Sequence, residues 1–219
     1  MITEIVGPAG AGKSTIARAL LQHNPAILGK PRLRWIRYHP AFYSRVVLSL
    51  PIYLRQYRGR GQVLRQTLGH MVYLEKLQRL LKYQSSDDTI FFLDQGPVFR
   101  LARLHMSDFD AIRDQSFESW WTRMLNAWAC TLDAIFWVDA QDEVLLERIL
   151  TRSKWHEIKD LPKQQAREFL TSYRKAYQKV ISGLTSDDGP EVLFFSTDHE
   201  PLEQITTRIL NTLDPGHRE

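Results

Sequence analysis

The chain has little cysteine, and this excludes several kinds of protein. Cys130 is the only cysteine among the 219 residues. A disulfide within the chain is therefore impossible, and a structural zinc site built on cysteines is not expected. A chain of this length buries about 70% of its unfolded surface and does not need such a crosslink to be stable. We expect a reducing compartment, the cytoplasm, as its location.

Long apolar runs are lacking as well. The longest apolar-leaning stretch, residues 46–54, is shorter than the roughly 20 residues that cross a bilayer as a helix. Residues 1–7 show neither the basic start nor the long apolar segment of a signal peptide, so we expect none. No repeat, low-complexity tract or linker rich in glycine, proline and serine interrupts the chain. The sequence therefore predicts a single domain over residues 1–219.

Acidic residues are nearly absent from one quarter of the chain. Residues 30–82 contain twelve lysines and arginines but one acid, Glu75, which makes a local charge of +11. Since the whole chain carries +4, the remainder is acidic. A block of one sign usually faces a partner of the opposite sign, here an anion. A solvated basic surface without a specific partner is the alternative.

The hydropathy pattern alternates between strands and helices. Apolar runs that end at a glycine or a polar residue predict buried strands at Ile2–Val6, 33–38, 90–93, 134–138 and 192–195. Apolar residues at helical spacing predict helices at 14–22, 63–83, 98–105, 108–131, 143–151, 164–184 and 201–213. We expect an α/β fold, a three-layer α/β/α sandwich with a mainly parallel five-stranded sheet. Ligands of such sheets bind beyond the carboxyl ends of the strands.

A phosphate-binding pattern follows the first predicted strand. The sequence matches G-x-x-x-x-G-K-[ST] with Gly7, Pro8, Ala9, Gly10, Ala11, Gly12, Lys13 and Ser14, followed by Thr15. Small residues let successive backbone N–H groups surround a phosphate, and the helix that follows directs the positive end of its dipole at the anion. Lys13 supplies positive charge for the β- and γ-phosphates, and the Ser14 hydroxyl is suited to Mg²⁺. We predict that this loop binds ATP with Mg²⁺.

The strand at 90–93 ends in a carboxylate, Asp94, which has the form of a Walker B motif. Asp94 can hold the Mg²⁺ shell or accept a proton from an attacking hydroxyl. Capping of the helix that starts at Pro97 is the structural alternative. The next residues do not complete the D-x-x-G of signalling GTPases, and the sequence contains neither an N-K-x-D guanine motif nor an ABC-type signature. These absences favour a kinase that acts on a small molecule.

Two arginines follow the fourth predicted strand at helical spacing. Arg148 and Arg152 are four residues apart and share one face of a helix. Cations that close over a transferring phosphoryl group stabilise its transition state. We predict a helical lid at about 150–163. We also predict that Arg148 and Arg152 are catalytic and that Arg148 binds the nucleotide. The alternative is a surface helix in which Glu143 and Glu147 pair with these arginines.

In their order along the chain, these features resemble the thymidylate kinase and deoxynucleoside kinase branch of the P-loop kinases. The likeness rests on the G-P-A-G-A-G-K-S-T loop, the strand ending in Asp94, the helix running into Arg152 and the final strand ending in Ser-Thr-Asp at 196–198. It implies a P-loop NTPase fold. It also implies that Lys13, Arg148 and Arg152 bind phosphate and that Ser14 binds the metal. Asp94 would be the acidic catalytic residue, and Thr197 would lie beside the adenine.

One position departs from both groups of relatives. Thymidylate kinases have an arginine after the aspartate and deoxynucleoside kinases usually have Glu-Arg, whereas this chain has Gln95. Arg100 or Arg103, one or two helical turns further on, is a candidate substitute. The departure argues against thymidylate as the acceptor.

The resemblance implies that the basic, mainly helical region at about 34–85 frames the acceptor. We predict Arg37, Arg100 and Arg103 as acceptor ligands, and Asp94 with Ser14 as metal ligands. The expected function is an ATP-dependent kinase for a nucleoside, a nucleotide or another anionic metabolite. A nucleic-acid end kinase or nucleic-acid-binding ATPase and a peripheral membrane P-loop ATPase are the alternatives. The sequence leaves open whether the protein is a homodimer.

Overall fold

The computed structural model describes residues 1–24, 26–29, 61–84, 89–106, 115–185 and 188–214. Its five strands are β1 Ile2–Val6, β2 Ile27–Leu28, β3 Ile90–Asp94, β4 Ala134–Asp139 and β5 Glu191–Ser196. The α-helices of this part are α1 Lys13–His23, α2 Gly61–Gln84, α3 Pro97–Met106, α4 Gln115–Ala129, α5 Asp142–Thr151, α6 Lys163–Leu184 and α7 Leu202–Leu213. A short 3₁₀ helix, Glu157–Asp160, lies between α5 and α6.

The strands form one parallel sheet in the order β2-β3-β1-β4-β5. The first strand of the chain is therefore central, with β3 and β4 on either side. In this register Ile5 lies beside Asp94, and Val6 lies beside Trp137. The carboxyl ends of the three central strands consequently meet at one edge, where the phosphate-binding loop leaves β1.

Two apolar clusters fill the space on the two faces of the sheet. One cluster joins α2, α3, α4 and the second half of α6 to side chains such as Phe91 and Trp137. The other joins α1, α5 and α7 to side chains such as Phe92 and Phe136. Successive residues of β3 and β4 thus point to opposite layers, as a strand covered on both faces requires. The predicted three-layer α/β/α sandwich with a parallel five-stranded sheet is confirmed.

The predicted elements that fall on described residues mostly agree with the structure to within a few residues, and the structure adds a strand that the sequence did not predict. The strand predicted at 33–38 lies outside the described residues. The second strand of the described part is β2, which has two residues and pairs with β3 at the sheet edge. An apolar run of two residues carries no periodic signal. Within the described residues, no helix is both long and apolar enough to cross a membrane.

Candidate active site

The loop between β1 and α1 adopts a shape that requires glycine. Gly7 and Gly10 have positive φ angles of 137° and 84°. A Cβ atom on Gly7 would lie 1.8 Å from the carbonyl oxygen of Val138, and one on Gly10 would lie 2.8 Å from that of Leu145. The backbones of Val138 and Leu145 cannot move easily, because Val138 belongs to the central sheet and Leu145 to a packed helix. The loop is thereby pressed against β4 and α5, with its backbone N–H groups free of obstructing side chains.

Lys13 is held inside this loop by backbone carbonyls. Its Nζ donates hydrogen bonds to the oxygens of Gly7 at 2.7 Å and Pro8 at 2.6 Å. Burial lowers the pKa of Lys13 to about 8, an effect that the nearby Asp94 carboxylate opposes and Arg152 reinforces. A partly desolvated ammonium group in a loop of N–H donors is suited to binding a polyanion.

Ser14 and Asp94 meet at the floor of the same site. The Ser14 hydroxyl, in the first turn of α1, donates to Oδ2 of Asp94 at 3.3 Å. Hydroxyl and carboxylate oxygens are ligands that Mg²⁺ accepts, and Mg²⁺ normally completes its shell with water and substrate phosphate oxygens. In the described part of the chain, no group of three or more His, Cys, Asp or Glu side chains could hold a metal. These two residues therefore fit a Mg²⁺ ion that is bound together with a nucleotide.

The capping alternative for Asp94 is not what the structure shows. The backbone N–H groups of Val98 and Phe99, in the first turn of α3, donate to Glu4 at 2.7 and 3.0 Å. Glu4 thus caps this helix from the central strand, and the Asp94 carboxylate stays beside Ser14.

Asp139, at the end of β4, has a structural role. Arg174 of α6 binds it with two parallel hydrogen bonds of 2.7 and 3.0 Å, and also reaches Asp142 at 2.5 Å. These bonds to both aspartates raise the pKa of Arg174 further above its ordinary value. The pairing fixes the turn between β4 and α5 to the middle of α6, and Asp139 does not line the cleft described below.

Arg148 connects the phosphate-binding loop to the segment after β5. Its Nη1 donates to the Thr197 hydroxyl at 2.8 Å and to the Gly10 carbonyl at 3.4 Å, and its Nη2 donates to the Thr197 carbonyl at 3.1 Å. The guanidinium plane thus forms a wall of the site. The pairing considered for Glu143 does not involve this arginine, because Glu143 binds Arg167 at 2.5 Å.

Arg152 and the segment after it border the opposite part of the site. The Nε atom of Arg152 is buried and has no hydrogen-bond partner among the described residues, and the residue lines the cleft described below. Further along, His156 accepts a hydrogen bond from the N–H of Ile158 and so starts the short 3₁₀ helix. Glu157 of that helix lies 3.4 Å from Arg103, which joins the segment to α3. The predicted lid at 150–163 is therefore built mostly of coil and one 3₁₀ turn.

Arg100 of α3 lines the site where α3 packs against His70 and Tyr73 of α2. Its Nη1 is 3.0 Å from Nδ1 of His70, and its guanidinium carbon is 4.6 Å from the centre of the Tyr73 ring. Burial, with Arg100 and Arg103 nearby, lowers the pKa of His70 to about 4. His70 is therefore neutral at neutral pH and accepts the hydrogen bond from Arg100. The Nε atom of Arg100 is buried without a partner in the described part of the chain.

These groups line a single cleft of about 830 Å³. The residues predicted from sequence that line it are Ala9, Gly10, Gly12, Lys13, Ser14, Thr15, Asp94, Arg100, Arg103, Arg148, Arg152 and Thr197. Three further predicted residues do not line the cleft: the carbonyls of Gly7 and Pro8 accept hydrogen bonds from Lys13, and Ala11 is buried. Arg37 lies outside the described residues. Sequence reasoning missed Glu4 and His70. Glu4 could have been noticed as an acid inside an apolar strand. Nothing in the helical pattern distinguished His70 from its neighbours.

No protein-family model and no curated protein sequence matches this chain. Solved structures do: deoxyadenosine kinase from M. mycoides with bound dATP has a TM-score of 0.58 at 17% identity, over 97% of this chain and 98% of that one. The YorR protein of Bacillus subtilis with phosphorylated GDP has a TM-score of 0.52 at 13% identity, over 100% and 99%. Shikimate kinase from Acinetobacter baumannii with shikimate has a TM-score of 0.50 at 15% identity, over 100% and 95%. This chain has the fold of the P-loop kinases, which it shares with the deoxyadenosine kinase and the shikimate kinase.

Proposed function

We propose that the protein is an ATP-dependent kinase that transfers the γ-phosphoryl group to a small, negatively charged acceptor. The observation that carries the proposal is the meeting of Lys13, Ser14 and Asp94 within one cleft that continues to Arg100. The loop, its lysine and the carboxylate would serve any site that binds a nucleotide with Mg²⁺. The same cleft also includes His70, Arg100 and Arg103, which gives a second substrate a place beside the nucleotide, as phosphoryl transfer requires.

In this mechanism the triphosphate binds along the loop, and Lys13 exchanges its two carbonyl partners for phosphate oxygens. Ser14 and Asp94 would hold Mg²⁺, which neutralises charge on the β- and γ-phosphates. The wall made by Arg148 and Thr197 lies beside the nucleotide. Arg152, with its unpartnered Nε, donates to the oxygens of the transferring group, where negative charge accumulates.

The chemical step depends on whether the acceptor offers a hydroxyl group or a phosphate group. For a hydroxyl, the acceptor oxygen bonds to the γ-phosphorus while the bond to the oxygen of ADP breaks, and Asp94 takes the hydroxyl proton. For a phosphate acceptor, the attacking oxygen is already ionised and no proton transfer is needed. The lining of the cleft is compatible with both.

The negative charge of the acceptor is inferred from Arg100. Stacking on Tyr73 and the bond to neutral His70 hold its guanidinium in one orientation, and Nε has no partner in the described residues. A buried donor without an acceptor is costly, and a carboxylate or phosphate would satisfy it. Arg103, one turn further along α3, is paired with Glu157 and adds to the positive charge here. An uncharged sugar or nucleoside could not compensate the Arg100 guanidinium as well.

A small acceptor is favoured over nucleic acid by what the similar structures bind. The deoxyadenosine kinase was solved with dATP and the shikimate kinase with shikimate. The alternatives of nucleic acid and of an anionic membrane depend on the basic residues between 30 and 60, which lie outside the described residues.

The test is a transfer screen with radiolabelled ATP against nucleosides, nucleoside monophosphates, sugars, hydroxy acids and oligonucleotides. We expect label on a small anionic acceptor and none with the Lys13→Ala variant. Arg100→Ala should raise the KM for that acceptor at least about tenfold while leaving the KM for ATP unchanged. Label found only on neutral acceptors or only on oligonucleotides would contradict the proposal.

A further inference from the structure

Glu4 is a buried acid at the centre of the molecule with no role in the mechanism above. It lies in the middle of β1, the central strand, and its side chain is fully buried. Acids are almost never fully buried unless they are paired. In the part of the chain that the structure describes, the hydrogen-bond partners of this carboxyl are backbone N–H groups rather than a lysine or an arginine.

Both oxygens of Glu4 hold the start of α3. Oε2 accepts from the N–H of Val98 at 2.7 Å, and Oε1 accepts from that of Phe99 at 3.0 Å. These N–H groups have no partner within their own helix, and they carry the positive end of its dipole. The carboxyl also packs on Gly96, where an added Cβ would lie 3.0 Å from Cδ and Oε2 of Glu4. Glu4 therefore contacts Gly96, Val98 and Phe99, although Val98 lies 94 positions further along the chain.

Gly96 ends the turn that leaves Asp94, and Val98 and Phe99 lie in the first turn of the helix that follows it. Gln95 is the only residue other than glycine with a positive φ angle among those described, at 63°. A glutamine adopts this left-handed conformation only when its surroundings enforce it. The turn aims the Asp94 carboxylate at Ser14, places Gln95 at the wall of the cleft, and starts the helix that carries Arg100. A shift of this turn would move all three together.

We propose that Glu4 is a positioning residue that holds the Asp94-Gln95-Gly96 turn and the start of α3 in the geometry needed for nucleotide and acceptor binding. Glu4 does not line the cleft, so it acts through Asp94 and its neighbours rather than on a reacting atom. The inference rests on the proposed kinase function. It extends that function by assigning the alignment of the Ser14–Asp94 pair to a side chain in the core.

The test compares how strongly Mg²⁺ improves nucleotide binding in several variants. Binding of a fluorescent ATP analogue is titrated with excess Mg²⁺ and with EDTA, and the ratio of the two dissociation constants is the readout. Asp94→Asn defines the ratio without the metal-binding carboxylate. Thr3→Val is the matched control, because Thr3 is also fully buried on β1 and its hydroxyl donates to Phe91, away from the turn.

We expect Glu4→Ala to reduce the Mg²⁺ ratio at least about fivefold, towards that of Asp94→Asn. Glu4→Gln retains one acceptor oxygen and should stay within about twofold of the wild type. Thr3→Val should keep the wild-type ratio even if it is less stable. A wild-type ratio in a folded Glu4→Ala variant would overturn the inference, since Glu4 would then act on stability alone.

Gly96→Ala is the second variant and tests the same contact from its other side. The added methyl group displaces the Glu4 carboxyl without removing it, so the Mg²⁺ ratio should fall here as well. An unchanged ratio in Gly96→Ala would overturn the inference where Glu4→Ala does not fold. Failure of the kinase function itself is distinguished by the wild type, which would then bind the ATP analogue in neither condition.

Discussion

The free energy of unfolding of Glu4→Gln should increase relative to that of the wild type as the pH rises. Burial raises the pKa of Glu4 from 4.5 to about 8, against the effect of the backbone N–H groups of Phe99 and Val98, and Asp94 adds to the rise. The folded protein therefore keeps the proton up to about pH 8, whereas the unfolded chain releases it near 4.5. The stability that this carboxyl provides is complete below pH 4.5 and is lost as the pH rises to 8.

The size of the effect follows from the width of that interval. One pH unit within it changes the free energy of unfolding by about 1 kcal/mol. Between about pH 5.5 and about pH 7.5, the wild type should therefore lose about 2 kcal/mol through this group. Glutamine does not ionise, so Glu4→Gln lacks this loss, although it gives up one acceptor for the N–H groups of α3.

The assay is urea unfolding followed by tryptophan fluorescence at several pH values in this range. The difference in unfolding free energy between Glu4→Gln and the wild type should shift in favour of the variant by about 2 kcal/mol over this interval. Thr3→Val should differ from the wild type by the same amount at every pH. A difference for Glu4→Gln that does not change with pH would refute the reasoning, because Glu4 would then be ionised in the folded protein at low pH as well.

Four further variants test the site and its supports. Lys13→Ala should bind Mg-ATP at least about a hundredfold more weakly without loss of folded structure, as calorimetry and circular dichroism would show. Asp94→Asn should weaken Mg-ATP binding at least about fivefold, because a metal ligand is lost, and should lower kcat for phosphoryl transfer by a larger factor. Gln95→Gly should raise the free energy of unfolding by up to about 1 kcal/mol, because it relieves the left-handed backbone, while transfer activity falls. Arg174→Ala should cost about 3 kcal/mol in urea unfolding, because it leaves two partly buried aspartates unpaired.

For these variants, the following results would contradict the role assigned to the replaced residue. Normal phosphoryl transfer by Lys13→Ala would exclude the loop as the nucleotide site, and a normal kcat in Asp94→Asn would make that carboxylate structural. Full activity in Gln95→Gly would show that the glutamine side chain contributes nothing at the cleft wall. Arg167→Ala, which breaks an exposed ion pair on the same helix as Arg174, serves as the control and should destabilise the protein much less.

The elements around the phosphate site were predictable because their signals are local. Neighbouring residues alone identify the apolar run from Ile2 to Val6, the glycine pattern after it and the helical spacing after Ser14. The same holds for β3 and β4, each an apolar run that ends in an aspartate. Parallel strands bring their carboxyl ends together, so the meeting of Asp94 with Ser14 followed from the fold class.

The parts that sequence reasoning missed depend on contacts between distant residues. Glu4 could be recognised as an unusual buried acid, but its partners lie 94 and 95 residues away. The neutral state of His70 depends on its burial beside Arg100, 30 residues further along the chain. The spacing of Arg148 and Arg152 indicated a shared helix face. It did not indicate that Arg148 is bound to Thr197 and the loop while Arg152 keeps a free donor.

Calorimetric titration of the purified protein with Mg-ATP shows whether the loop between β1 and α1 binds a nucleoside triphosphate. We expect a saturable binding heat with one nucleotide per chain, which disappears in Lys13→Ala. If the wild type gives no binding heat with either Mg-ATP or Mg-GTP, the loop is not a nucleotide site and the cleft binds a different ligand.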